Sequence, residues 1–158
     1  MLTFLRNWGR VDLVSDVVIV SACLLGLPTR YDGISAPSEE ALSAIRDQIL
    51  VPVCPEQLGG LSTPRSPYFL ERGTGEDVLA DRARVVNANG GDATENFLRG
   101  ARTVVRIAEL VGAREAWLKE KSPSCGVSWT TSTAGTAAGP GVATALLRSR
   151  GIRVHGFD

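Results

Sequence analysis

The chain has 158 residues, 44% apolar and 22% charged, with mean hydropathy close to zero; at this size roughly 70% of the unfolded surface is buried on folding, so no disulfide staple is needed. Lys plus Arg balance Asp plus Glu at 17 each with no block of like charge, which excludes the electrostatic footprint of a nucleic-acid or anionic-membrane binder and points to a small or neutral partner. The opening MLTFLRNWGRVDLVSD is too short, and too interrupted by Arg6, Arg10 and Asp12, for a signal peptide or membrane span, and a cytoplasmic setting is expected.

DVVIVSA, from Asp16 to Ala22, is a β-branched run that predicts a strand. SEEALSAIRDQI predicts a helix with Ser38 as N-cap and Glu39 and Glu40 in its first turn, where the helix dipole favours them. Ile49 to Val53 is a second strand. Residues 59–81 contain Gly59, Gly60, Pro64, Pro67, Gly73 and Gly75 and read as a long loop, a length commonly tied to function. Ala83 to Asn87 is a third strand. In the segment that follows, Asp92 is a candidate cap, Phe97, Ala101, Val104, Val105, Ala108 and Val111 form one helical stripe, and Gly112 is the stop. Glu115 to Lys119 is a fourth strand, and the small polar run from Thr130 to Gly141 reads as a surface loop. A last helix carries Pro140 near its start, Val142, Ala145 and Leu146 on one face, and Gly151 as stop, before a fifth strand from Gly151 to Gly156. Alternating strands and helices predict an α/β fold: one Rossmann-like, three-layer domain with a mostly parallel sheet and right-handed crossovers, spanning residues 1–158.

The three cysteines are far apart in sequence, yet each follows a strand: Cys23 after Val17 to Val20, Cys54 after Ile49 to Val53, Cys125 shortly after Glu115 to Lys119. In an open parallel sheet the carboxyl ends of the strands share one edge, where ligands bind, so the thiols are expected to converge. A single cysteine is usually a buried apolar residue; three in Gly- or Pro-containing turns favour function. Converging thiolates repel one another and call for a cation, either zinc or an iron–sulfur cluster, with one metal position left open. The competing arrangement, a cysteine nucleophile with a histidine base, would have to recruit His155, the only histidine, from the end of the chain.

SACLLG with RYDG, VPVCPEQLGGLSTPR, GDATENFLRGA, LKEKSPSCG and GPGVATALL, in this order, closely resemble the small bacterial thiouracil desulfidase family. The resemblance runs from about Val17 to Val154 and leaves residues 1–15 outside as an N-terminal arm. It implies a [4Fe–4S] cluster held by Cys23, Cys54 and Cys125, and non-redox conversion of a thiolated pyrimidine base or nucleoside to its oxo form plus sulfide. It also implies Glu56 as catalytic acid/base and Ser122 as a catalytic assistant that orients substrate or relays a proton. Glu56 alone reads equally well as a solvated loop carboxylate, and Ser122 as a turn cap. Ser124 is a weaker candidate for substrate binding or for a hydrogen bond to a cluster sulfur. Arg65 is a candidate for the substrate site, or equally a surface arginine. Lys119 and Asp32 read as a surface or strand-end ion pair. Tyr68 and Phe69, after the Pro64–Arg65 pair, are aromatic where relatives carry an acid, which fits stacking on a base. Iron–sulfur assembly machinery is the expected partner, with neither a nucleic-acid polymer nor a membrane. Two other functions suit the same residues: a non-catalytic iron–sulfur carrier or sensor, and a zinc-dependent hydrolase.

Overall fold

The computed structural model describes residues 16–158, so the expectations for residues 1–15 lie outside the described part. Strand β1 (Val17–Ser21) runs at the centre of a parallel sheet beside β2 (Ile49–Val53) and β5 (Glu115–Lys119), with β8 (Arg153–Phe157) beyond β5. Every pairing in this sheet is parallel, and the register sets Ser21 opposite Val53 and Val20 opposite Trp117. The carboxyl ends of β2, β1 and β5 therefore lie along one edge.

Alternation along β1 divides the core. Ile19 faces a cluster with Val104, Val105, Ala108 and Leu147, while Val18 and Val20 face Ala41 and Ile45. The first side is closed by α4 (Thr94–Val111) and α5 (Val142–Ser149), the second by α1 (Glu39–Ala44). Helices on both faces explain why the strands are apolar along nearly their whole length. Ser38 caps α1 as its sequence position predicts, accepting from the Ala41 N–H at 3.2 Å.

Four expectations are corrected. Within residues 59–81, Tyr68–Glu71 forms β3 and Gly75–Leu79 forms α3, because Leu70 buries completely against Val78, Val85 and Phe97 despite the surrounding Gly and Pro. The strand predicted at Ala83 to Asn87, β4 (Arg84–Asn87), leaves the parallel sheet and pairs antiparallel with β3. The supposed loop from Thr130 is a hairpin of β6 (Trp129–Ser132) and β7 (Gly135–Ala138), whose turn uses the positive φ of Gly135. These strands make a second sheet in the order β4-β3-β6-β7. On α4, Ala93 is the N-cap, with Asp92 accepting from the Thr94 N–H one step out, and Val111 at the last turn is exposed.

Candidate active site

These strand ends open into a cavity of about 570 Å³. The turn Ala22–Leu25 after β1 supplies Cys23, the junction of β2 with α2 (Pro55–Leu58) supplies Cys54 and Glu56, and the passage after β5 supplies Ser122 and Cys125. All of these residues line the cavity, together with Arg65 and with Pro67, Tyr68 and Phe69 at the start of β3. The three sequence-distant cysteines thus line one cavity at the sheet edge, and none of them is in a disulfide.

Two glycines hold the short helix α2 in place. A methyl group on Gly100 of α4 would lie 1.9 Å from the Pro55 carbonyl oxygen, and one on Gly59 would lie 2.1 Å from the Asn96 carbonyl oxygen. α2 and α4 consequently touch backbone to backbone. Asn96 Nδ2 and both Arg99 Nε and Nη2 donate to the Gly59 carbonyl at 2.9, 3.1 and 2.7 Å, which satisfies the end of α2.

Burial pushes the Glu56 carboxyl above its ordinary pKa, while the charge and hydrogen bond of Arg65 pull the other way. Arg65 Nε donates to Glu56 Oε2 at 2.6 Å, and the side chains are 5% and 12% exposed. The surface alternative for Arg65 is corrected: its guanidinium also donates to the Ser62 carbonyl (3.2 Å), Thr63 Oγ1 (3.0 Å) and the Thr29 carbonyl (3.2 Å), and lies 3.9 Å from Cys54 Sγ. The loop-carboxylate alternative for Glu56 fails for the same reason, since this carboxylate is nearly buried.

Each thiol is raised above its ordinary pKa, first by burial. Cys54 further raises Cys23, and Cys54, Cys23 and Glu56 further raise Cys125, whereas a hydrogen bond with the Ser21 side chain lowers it. Burial thus disfavours the thiolate at each cysteine, and a cationic centre is what would favour it. Among the described residues, no three His, Cys, Asp or Glu side chains meet as a single metal ion requires.

Ser122 both lines the cavity and caps its own turn, its Oγ accepting from the N–H groups of Ser124 (3.2 Å) and Cys125 (3.0 Å). Ser124 is not among the lining residues, and its hydroxyl is buried with no hydrogen-bond partner. Lys119 and Asp32 do not pair: Lys119 Nζ sits 3.2 Å from Asp158 Oδ1, and Asp32 pairs with Arg30 at 3.1 Å. Asp32 sits in a turn with Arg30 two residues before it, and Lys119 on β5 has Asp158 for its partner. His155 lies in β8, 3.0 Å from Glu115 and with its ring tilted against Trp117, and is not a lining residue. It cannot serve as the base for a cysteine nucleophile.

Sequence reasoning passed over Ser21, Glu120 and Thr131, which also line the cavity. Ser21 was readable in principle as the last strand residue before a cysteine turn. Thr131 lies in the hairpin that composition had hidden.

Residues 18–156 match a family model described as 2-thiouracil desulfurase. The chain is similar to the uncharacterised protein YbbK of Bacillus subtilis (strain 168), with 42% identity over 141 residues covering 87% of this chain and 93% of YbbK. Among solved structures it is similar to the [4Fe-4S]-dependent thiouracil desulfidase TudS, at a TM-score of 0.73 and 41% identity over 90% of this chain and 91% of TudS.

Proposed function

The chain belongs to the 2-thiouracil desulfurase family, and we propose that it is a single-domain desulfidase that replaces the sulfur of a thiolated pyrimidine base or nucleoside with oxygen, using a [4Fe–4S] cluster held by Cys23, Cys54 and Cys125. The observation that carries this reading is the arrangement of three cysteines outside any disulfide with a nearly buried carboxylate around one cavity. When bound, such a cluster with one iron free of protein ligands supplies a soft Lewis acid that binds sulfur and polarises a C=S bond.

The protein's part is positioning and proton transfer. The apolar wall of Pro67, Tyr68 and Phe69 offers a planar heterocycle two aromatic side chains to lie against. Glu56 takes a proton from the attacking water as the C–O bond forms, and returns it as the C–S bond breaks and sulfide leaves; water supplies both protons and no electron is gained or lost. Arg65 holds the Glu56 carboxylate through Nε and limits its rotation. The Ser122 oxygen is occupied by two backbone donors, which leaves its O–H free to donate towards the substrate. Ser124, outside the cavity lining, is left without a part in substrate binding.

No helix among the described residues is long and apolar enough to cross a membrane. The reading places the enzyme in the cytoplasm, where thiols stay reduced and iron–sulfur assembly proteins supply the cluster. The test is anaerobic reconstitution followed by incubation with 2-thiouracil. Sulfide release that is abolished by Cys125→Ala and reduced at least a hundredfold by Glu56→Gln is the expected result; full turnover by the Cys125→Ala protein would overturn it.

A further inference from the structure

Several side chains hold the loop that carries Cys125: Ser122 Oγ accepts from the Cys125 N–H (3.0 Å), Thr144 Oγ1 donates to the Cys125 carbonyl (2.8 Å), Thr130 Oγ1 donates to the Ser122 carbonyl (3.0 Å), and Glu120 gathers the backbone that follows. Glu120, the residue immediately after β5, turns its carboxylate back beneath the loop. Oε2 accepts from the N–H groups of Val127 (2.9 Å) and Trp129 (3.0 Å), and Ser128 N–H donates to Oε1 at 3.0 Å and to Oε2 at 3.2 Å. Three consecutive backbone donors therefore converge on one acidic group. Hydrogen bonds to a carboxylate are roughly twice as strong as neutral ones.

Main-chain contacts close the loop around it. Glu120 N–H donates to the Phe157 carbonyl (2.7 Å), Lys121 N–H to the Trp129 carbonyl (2.9 Å), and Gly126 N–H to the Ser122 carbonyl (3.0 Å). The fold also reserves space for the carboxylate. A methyl group on Gly156, in the neighbouring strand β8, would lie 2.2 Å from Glu120 Oε1. Two residues remote in sequence thus meet at one point, the acid filling the gap that the glycine leaves.

We infer that Glu120 is a positioning residue that fixes Cys125 at the cavity wall and sets how firmly the third thiolate ligand is held. The assignment rests on the three-cysteine reading of the site for its functional meaning and on the hydrogen bonds for its geometry. Cys23 and Cys54 are held differently, by the turn after β1 and by the backbone packing of α2 on α4. Loss of the Glu120 carboxylate acts on Cys125 and spares the other two.

The experiment uses the full chain in two states. In the iron-free folded protein, mass spectrometry follows iodoacetamide alkylation of each cysteine; Glu120→Ala, which removes the acceptor of three backbone donors, accelerates Cys125 by roughly tenfold or more and leaves Cys54 unchanged. In the reconstituted protein the same variant loses its cluster absorbance to a ferrous chelator severalfold faster than the unaltered chain. Glu120→Gln, which keeps one acceptor oxygen, falls between, and Gly156→Ala reproduces the Glu120→Ala pattern by displacing the carboxylate. If Glu120→Ala fails to fold, Glu120→Gln and Gly156→Ala carry the comparison. Equal Cys125 alkylation and equal cluster retention in all variants would overturn the assignment. A starting chain that takes up no cluster would sink the proposed function instead, while the alkylation rates would still decide the role of Glu120.

Discussion

Glu56 and Arg65 show how a buried ion pair is tied to its surroundings. Taking both groups out of water carries a penalty that their attraction repays only when the remaining hydrogen-bonding positions are filled. For Arg65 they are filled by Ser62, Thr63 and Thr29. Arg65→Met leaves Glu56 buried without its cation, and destabilises the fold by about 3 kcal/mol in urea denaturation. Glu56→Gln costs less, because the guanidinium keeps three oxygen acceptors. Equal losses for the two variants would show that the pair contributes no such asymmetry. The sequence presented both residues near Cys54 but gave no sign of their burial, since a loop glutamate and a loop arginine look alike whether solvated or enclosed. The cysteines were more legible, because a residue just past a strand end has only one edge of the sheet to occupy.

Packing between elements decides the position of α2, and a single glycine measures it. Replacing a mid-helix glycine by alanine ordinarily stabilises a helix by about 1 kcal/mol. At Gly100 the new methyl would meet Pro55 O at 1.9 Å and Pro55 C at 2.8 Å, both backbone atoms that cannot rotate away. Overpacking of this kind costs typically 1–3 kcal/mol, so Gly100→Ala lowers stability despite its better propensity, and it shifts Cys54 and Glu56 with α2. A thermal melt at or above that of the unaltered chain would contradict this contact. The periodicity of α4 was legible from its apolar stripe, and the role of Gly100 within that stripe was not, because spacing reports which face is buried and not how closely the partner approaches. β3 and the β6–β7 hairpin were hidden for a different reason: Gly, Pro, Ser and Thr dominate their surroundings, and only the pairing of Leu70 with Val85 reveals that a strand runs there.

Over the whole molecule, charge is balanced locally as well as in total. Asp77, Asp92 and Asp158 are held below the ordinary aspartate pKa of 3.8, chiefly by hydrogen bonds from the Thr74 N–H, from Thr94 and from the Lys121 side chain, respectively. A carboxylate lowered in the folded state contributes stability that is fully present above its unfolded pKa and lost as pH falls through the folded value. Asp32 and Glu115 are lowered as well, and Glu56, shifted upward, works in the opposite sense, as one carboxyl against five. Urea midpoints should therefore hold steady from neutral pH to about 5 and decline below about 4; a midpoint that rises on acidification would reverse the sign. The parallel sheet and its ligand-binding edge were readable from the order of the strands. The second sheet, which brings Tyr68 and Phe69 to the cavity, depends on pairings that no local pattern announces.

Three thiols acting as one ligand set are the centre of the proposed function. The most direct measurement is iron and acid-labile sulfide in the anaerobically reconstituted chain, compared with Cys23→Ala, Cys54→Ala and Cys125→Ala. The account predicts about four of each per chain, with every single substitution lowering both together. Full iron and sulfide retained by any one of the three variants, or iron bound without sulfide, would contradict it.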